Sequence, residues 1–220
     1  MKLHLGCGKN PIKGFVNCDI QDLPGVDKIM DCADLRIFEN LSADLIFAHS
    51  FFEHLYCYQH SLFLSECKRV MKKEGLLFLL GIPDFEKVCD LYLNKKPGIP
   101  PFGGTFNLYQ SYRLTHGDYE GEGKASIPQL HKALFDKPSL WALFKTIGFN
   151  TVFIFNYTFP KEQYKIPIGI IASKENKIYK DKLISLISPF KDFFDNYREI
   201  TALINEVSPT LPYIQGTTDI

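Results

Sequence analysis

Short apolar runs alternate with turn residues and helical patterns along the first half of the chain. The pattern predicts five strands, at residues 2–5, 15–19, 28–31, 43–49 and 75–81. Between the last two strands, apolar residues from Phe63 to Met71 recur at helical spacing, and Gly75 follows Lys72 and Lys73 as a helix end. Strands joined by crossover helices are typical of a parallel sheet, so the first half predicts an α/β fold.

The second half opens with a long segment, residues 94–129, that carries most of the proline and glycine together with tyrosine and phenylalanine. Long loops in compact domains are usually functional or disordered, and this one is a candidate binding segment. Regular structure resumes where Asp136 is a plausible N-cap and Pro138 lies in the first turn of an amphipathic helix that ends before Gly148. Two further strands are predicted, at residues 151–155 and 166–173.

The C-terminal part predicts one more amphipathic helix. It opens at Ser188 and Pro189, carries an apolar stripe that begins with Phe190, and ends before Ser208. A chain of 220 residues fits one α/β domain with additions. We therefore expect one domain at residues 1–175, with 94–130 as an insertion, and a helical appendage with a frayed tail at 176–220.

Charge and composition narrow the class of protein. The 25 basic and 25 acidic residues balance, and no basic run is present, which argues against nucleic acid as a partner. No apolar run approaches the length of a membrane span, and the first residues lack the apolar core of a signal peptide, so we expect a cytoplasmic protein. The six cysteines form no C-x-x-C pair and are expected to be reduced, buried thiols.

The first candidate for chemistry is the glycine pair after the first predicted strand. Gly6 and Gly8 lack a Cβ, so the backbone can turn sharply there and approach a ligand. Asp19 ends the second strand, where an acid can accept hydrogen bonds from ribose hydroxyls. The dinucleotide fingerprint requires a third glycine and a strand-end acid about 20 residues further on. Here the third glycine is missing and Asp19 follows Gly8 by only 11 residues, which disfavours an NAD-dependent oxidoreductase.

Five segments, taken in order, resemble class I S-adenosylmethionine-dependent methyltransferases: LHLGCGKN at 3–10, VNCDI at 16–20, IMDCADL at 29–35, ADLIFAHSFFEHL at 43–55 and KKEGLLFLLGIPDF at 72–85. The later HKALFD at 131–136 and the helix ending at 147–149 resemble the subgroup associated with bacterial surface-polysaccharide biosynthesis, capsule included. The resemblance implies a doubly wound, Rossmann-like α/β fold with a mostly parallel seven-stranded sheet. It also implies S-adenosylmethionine as the cofactor.

The resemblance further implies where the cofactor lies. Glycines at 6 and 8 would lie beside its methionine portion, Asp19 on the ribose, and Asp31 at the adenine amino group. The backbone N–H of Cys32 or Ala33 would reach the adenine ring nitrogen. The whole implied cofactor set is Gly6, Cys7, Gly8, Asp19, Ile20, Asp31, Cys32, Ala33 and His49, the last bordering the methyl group.

The acceptor is expected to be a small molecule or a saccharide precursor that is methylated on oxygen. A hydroxyl acceptor must lose a proton, and histidine is the natural base near neutral pH. His49, His116 and His131 are the candidates, and the sequence does not rank them. Aromatic and basic side chains of the long segment suit a sugar or nucleotide-sugar, so we predict substrate contacts from Tyr109, Tyr112 and Arg113.

The sequence leaves an alternative function open. His4 stands where the methyltransferase family has an acid, and Asn10 replaces a third glycine. The missing acid at His4 favours a non-catalytic protein that binds a nucleotide or S-adenosylmethionine. A homodimer through the C-terminal helix is a further expectation.

One local group of residues raises the question of a metal. The residues are His49, His54, Cys57 and His60, and their spacing does not match that of zinc ligands, so no metal is predicted. Glu53 and His54 resemble the family's E-H pair, which we expect to cap the following helix and shape the cofactor pocket.

Overall fold

One seven-stranded sheet forms the centre of the molecule. The computed structural model describes residues 1–117, 129–158 and 163–176, together with Ser185 and Phe190. The strands are β1 (Lys2–Leu5), β2 (Val16–Asp19), β3 (Lys28–Ile29), β4 (Ala43–His49), β5 (Met71–Pro83), β6 (Thr151–Asn156) and β7 (Pro167–Ser173). Their order is β3-β2-β1-β4-β5-β7-β6, and β7 alone runs opposite to the other six strands. The predicted doubly wound, mostly parallel sheet is confirmed.

Four helices accompany the sheet within the described residues. They are α1 (Cys57–Val70), α2 (Phe85–Leu93), α3 (Leu108–His116) and α4 (Lys137–Ile147), and a 3-10 turn (Phe52–His54) precedes α1. The predicted start of α4 is confirmed, because the Asp136 side chain accepts a hydrogen bond from the Ser139 backbone N–H. Gly148 ends the helix in the left-handed conformation, at φ 88°.

Two sequence expectations about helices were wrong. Met71 begins β5 instead of ending α1, so Lys72 and Lys73 lie on a strand, and the cations of the last helical turn are Lys68 and Arg69. Helix α3 lies in the segment predicted as a loop. Its fully buried residues, Gln110 and Thr115, are polar, and its apolar Leu114 is partly buried, so few buried apolar positions mark this helix in the sequence.

The core covers both faces of the sheet. Helices α1 and α4 pack on one face, where Phe63, Leu140 and Phe144 are fully buried. On the other face the ring of Phe190 lies 4.3 Å from that of Phe47 and is 1% exposed. A residue of the predicted appendage is therefore part of the core. The rest of the predicted C-terminal helix lies outside the described residues.

The cysteines differ in part from the expectation of buried thiols. All six are free, and Cys7, Cys18, Cys32 and Cys67 are buried. Cys57 is exposed and Cys89 is half-buried, so the expectation was wrong for these two. Among the helices described, none is both long and apolar enough to cross a membrane.

Candidate functional site

A cavity of about 520 Å³ opens where the strand order of the sheet reverses, at the carboxyl ends of β1 and β4. Ligands of open α/β sheets bind in this crevice. Its walls come from the turn after β1, the ends of β2 and β4, the 3-10 turn, the start of α1 and the segment before α4. The cavity therefore lies where the sequence placed the glycine pair and Asp19.

The turn after β1 places its backbone at the wall of the cavity. Gly6 and Gly8 both have a left-handed backbone, with φ of 64° and 52°. A Cβ on Gly6 would lie 2.6 Å from Cδ2 of Phe51, so this glycine is required by packing. A Cβ on Gly8 would meet nothing within 4 Å, so Gly8 borders open space. Between them Cys7 is buried, and its N–H donates to the Cys18 carbonyl.

Asp19 joins the end of β2 to this turn. Its carboxylate accepts hydrogen bonds from the backbone N–H of Gly8, at 2.7 Å, and of Gln21, at 2.9 Å. The side chain is buried and lines the cavity. A carboxylate can accept about four hydrogen bonds, so Asp19 retains acceptor capacity toward a ligand.

Eight of the nine residues of the implied cofactor set line the cavity. Ala33 is the exception. Its N–H, expected to reach an adenine ring nitrogen, donates instead to Oδ1 of Asp31 at 2.9 Å. Asp31 and Cys32 do line the cavity, and the Gly6 N–H donates to the Cys32 sulfur at 3.4 Å.

The buried His4 and the half-buried His49 border the inner end of the cavity. His49 ends β4, and burial lowers its pKa to about 4. Nδ1 of His4 lies 3.2 Å from Oδ1 of Asn17, and burial lowers the His4 pKa to about 4 as well. Both imidazoles are therefore neutral near pH 7. His4 stands in place of an acid without adding charge.

The opposite wall joins two segments that are distant in the sequence. The Lys132 backbone N–H donates to the Glu53 carbonyl at 2.8 Å, and His54 Nδ1 donates to the Leu130 carbonyl at 3.1 Å. The Lys132 ammonium donates to the His54 carbonyl at 2.9 Å. This wall contributes the lining residues His54, Leu55, Tyr56, Gln59, Gln129 and Lys132, of which the sequence analysis singled out only His54.

The Glu53-His54 pair does not cap the next helix, contrary to expectation. Tyr56 is the N-cap of α1, and its N–H donates to Oε1 of Gln59 at 2.9 Å. Glu53 is instead 1% exposed, and burial raises its pKa to about 8. His60 is a core residue that donates to the Phe52 carbonyl, so it does not join His54 in a ligand group.

The three candidate bases are separated by the fold. His49 lines the cavity, whereas His131 and His116 do not. The His131 ring lies 5.0 Å from that of His54, its Nδ1 donates to the Leu114 carbonyl, and burial lowers its pKa to about 4. His116 is exposed and stacks on Tyr112 with ring centroids 4.8 Å apart.

The predicted substrate residues lie on α3, outside the cavity lining. Tyr109 and Tyr112 are 40% and 45% exposed. The Arg113 guanidinium lies 4.4 Å from the centre of the Phe102 ring. The structure therefore places all three on an aromatic surface and does not bring them to the cavity wall.

Comparisons with known proteins agree with this geometry. Residues 7–79, about a third of the chain, match the sequence family described as "Methyltransferase domain". The match runs from the glycine turn into β5 and so spans the inner part of the cavity. A search of curated proteins finds no match.

Solved structures of methyltransferases share the fold. A possible histamine N-methyltransferase from Thermotoga maritima is 16% identical with a TM-score of 0.51, and the match covers 79% of this chain and 82% of that one. A methyltransferase from Methanosarcina mazei is 17% identical with a TM-score of 0.51, over 78% and 91% of the two chains. One from Archaeoglobus fulgidus is 14% identical with a TM-score of 0.50, over 77% and 84%.

The matched domain and the shared fold together support a methyltransferase. Residues 7–79 match a methyltransferase domain, and the chain has the fold of S-adenosylmethionine-dependent methyltransferases, which supports S-adenosylmethionine as the cofactor. The enzyme reading is thus favoured over the non-catalytic binding protein, and the NAD-dependent oxidoreductase finds no support.

Proposed function

We propose that the cavity binds S-adenosylmethionine against the ends of β1, β2 and β4 and that the enzyme methylates a hydroxyl of a small acceptor. The acceptor class that we propose is a saccharide precursor of a bacterial surface polysaccharide. The observation that carries the proposal is the open space over Gly8, which lies in one cavity with Asp19 at one side and a polar wall at the other.

The residues at the inner end fit the cofactor. Gly8 leaves room for a ligand to approach the backbone, and Asp19 has acceptor capacity for ribose hydroxyls. His4 and His49 are uncharged near pH 7, so they do not repel the positive sulfonium. When bound, S-adenosylmethionine supplies an electrophilic methyl group whose bonding electrons stay on sulfur, while the acceptor hydroxyl releases its proton.

The outer end supports a hydroxylated acceptor. Gln59 and Gln129 offer amides, Tyr56 an aromatic face and Lys132 an ammonium group. Aromatic faces beside convergent polar groups are typical of sites for small polar ligands, and an ammonium group attracts a phosphate. A phosphate-bearing sugar offers both a polar ring for the aromatic and amide groups and a phosphate for the ammonium group. Tyr109, Tyr112 and Arg113 stay predicted contacts for the outer part of such an acceptor.

The proton-accepting group stays a prediction. His49 is the candidate that lines the cavity, and His131 lies behind the His54 ring. His116 is exposed beside Tyr112 and would need an acceptor that extends over α3. Closing the cavity from water would assist transfer whichever group takes the proton.

The setting of the reaction is part of the proposal. Free cysteines persist in reducing compartments, so the six unpaired thiols support a cytoplasmic enzyme. In the cytoplasm the enzyme would have access to nucleotide-sugar acceptors. A homodimer through the C-terminal helix stays a prediction about residues outside the described part of the chain.

The experiment uses the full chain with isotopically labelled S-adenosylmethionine and a panel of acceptors. The panel holds nucleotide-sugars, sugar phosphates, free sugars and, as a separate arm, small amines. Mass spectrometry should find the label on an oxygen of a sugar derivative, and Gly8→Ala should abolish it. Transfer only to amines would overturn the proposed acceptor class.

A further inference from the structure

Three side chains that can ligate a metal meet behind the acceptor end of the cavity. Glu53, His54 and His131 each bring one ligand atom within 4.8 Å of the other two. The spacing of histidines in the sequence gave no sign of this group. His131 is distant in the chain, and only the pairing of its segment with the 3-10 turn brings it to the other two.

Both imidazoles present Nε2 as the available ligand atom. Nδ1 of His54 lies 3.1 Å from the Leu130 carbonyl oxygen, and Nδ1 of His131 lies 3.1 Å from the Leu114 carbonyl oxygen. A carbonyl oxygen can only accept, so in the neutral rings each Nδ1 carries the proton and each Nε2 keeps its lone pair. Metal-binding histidines are oriented in this way by a backbone carbonyl behind the ring.

Glu53 supplies the carboxyl member of the group and would release its proton on coordinating a metal. It is 1% exposed, and its Oε1 lies 3.9 Å from Nε2 of His54. Its Oε2 is buried and forms no hydrogen bond with any residue in the described part of the chain. A buried carboxylate is costly unless it is paired or coordinates a metal, so this oxygen points to a ligand.

The group is held in place before any ligand arrives. The Glu53 carbonyl is bonded to the Lys132 N–H, and the His131 N–H donates to the His116 carbonyl at 3.2 Å. The cation of this wall, the Lys132 ammonium, is held by the carbonyls of His54 and Leu130, at 2.9 Å and 3.3 Å. The ligand atoms thus come from two segments, the 3-10 turn and the segment at residues 130–132, which hydrogen bonds join to each other and to the end of α3.

We propose that Glu53, His54 and His131 bind one divalent transition-metal ion through a carboxylate oxygen and two Nε2 atoms. Two imidazoles and one carboxylate suit Zn²⁺, Fe²⁺, Co²⁺ or Mn²⁺ and leave coordination positions open. His54 also lines the cavity, so an open position would face the acceptor. The role rests on the proposed function: the ion would hold an acceptor oxygen and favour loss of its proton to solvent.

The test is a titration of the full chain with Co²⁺ after removal of metals by a chelator. Visible absorption and calorimetry should show one Co²⁺ per chain, with no thiolate charge-transfer band. Glu53→Gln and His131→Ala should each weaken binding by about hundredfold or more, since even outer contacts of a metal site are worth about 10–100-fold. Cys57→Ser removes an exposed thiol outside the proposed group and should leave binding unchanged.

The inference is overturned if Co²⁺ does not bind, if binding is unchanged in His131→Ala, or if Cys57→Ser abolishes it. Circular dichroism checks that each variant is folded. His131 is only partly buried, so His131→Ala is expected to fold. This variant therefore tests the metal site if Glu53→Gln unfolds. Titration of the same samples with S-adenosylhomocysteine separates the two proposals. Cofactor binding without Co²⁺ binding would contradict the proposed metal site alone. Co²⁺ binding without cofactor binding would contradict the proposed function of the cavity.

Discussion

The carboxylate of Asp19 accepts a hydrogen bond of 2.7 Å from the backbone N–H of Gly8, eleven residues earlier in the chain. The bond joins the end of β2 to the turn after β1 at the wall of the cavity. It fixes the conformation of the glycine turn while the carboxylate keeps acceptor capacity for a ligand. One residue therefore shapes the pocket and is available to bind in it.

Replacing Asp19 should weaken the cofactor complex. Asp19→Ala removes a charged acceptor and is expected to lower the affinity for S-adenosylhomocysteine by about ten- to a hundredfold. Calorimetry measures the change. Asp22→Ala removes an exposed acid nearby and should bind normally. Equal affinity of the Asp19 variant and the wild type would show that this carboxylate does not contact the cofactor.

A matched pair of glycine variants separates backbone strain from ligand contact. Gly8 and Gly14 have left-handed backbones, at φ 52° and 85°, and an added Cβ meets nothing within 4 Å at either. Alanine at each should destabilise the fold by about 1–2 kcal/mol. Only Gly8 lines the cavity, so only Gly8→Ala should lose S-adenosylhomocysteine binding. Loss of binding in both variants would count against a ligand over Gly8.

The buried His4 should make stability depend on pH. Burial lowers its pKa from 6.5 to about 4, so the unfolded chain binds a proton more tightly than the folded one. Neutral His4 therefore contributes to the free energy of unfolding above pH 6.5, and this contribution is lost as the pH falls toward 4. His4→Asn retains a donor toward Asn17 without titrating. Denaturant unfolding should show that the wild type loses about 2–3 kcal/mol more than this variant over that range.

His49 in the same cavity titrates in both proteins. Burial lowers its pKa, and the charge of protonated His4 lowers it further, so the difference between the two profiles includes the effect of His4 on His49. Parallel pH profiles of the wild type and His4→Asn would mean that His4 takes up its proton without cost in the folded state.

Phe190 tests whether the C-terminal segment belongs to the fold. Its ring packs against Phe47 and Phe78 with centroids 4.3 Å and 5.2 Å away. Phe190→Ala should lower the free energy of unfolding by about 3–5 kcal/mol. Leu93→Ala, at a side chain 71% exposed, should change it by less than about 0.5 kcal/mol. Similar small effects at both positions would support a separate appendage.

The sequence predicted the inner part of the site and missed the outer part for a physical reason. The glycine turn, Asp19 and His49 follow strands whose apolar runs are visible locally, and parallel strands place their carboxyl ends together. Lys132 and Gln129 reach the cavity because Lys132 and Leu130 of their segment form hydrogen bonds to the 3-10 turn, far away in the chain. No periodicity encodes such a pairing. Helix α3 was missed because its fully buried side chains, Gln110 and Thr115, are polar.

The most direct test of the enzyme class is a calorimetric titration of the full chain with S-adenosylhomocysteine, with NAD titrated in parallel. One molecule of S-adenosylhomocysteine should bind per chain and raise the unfolding temperature, because a ligand selective for the folded state stabilises it by mass action. NAD should produce neither effect. Binding of NAD without binding of S-adenosylhomocysteine would contradict a methyltransferase cofactor site at Gly8 and Asp19.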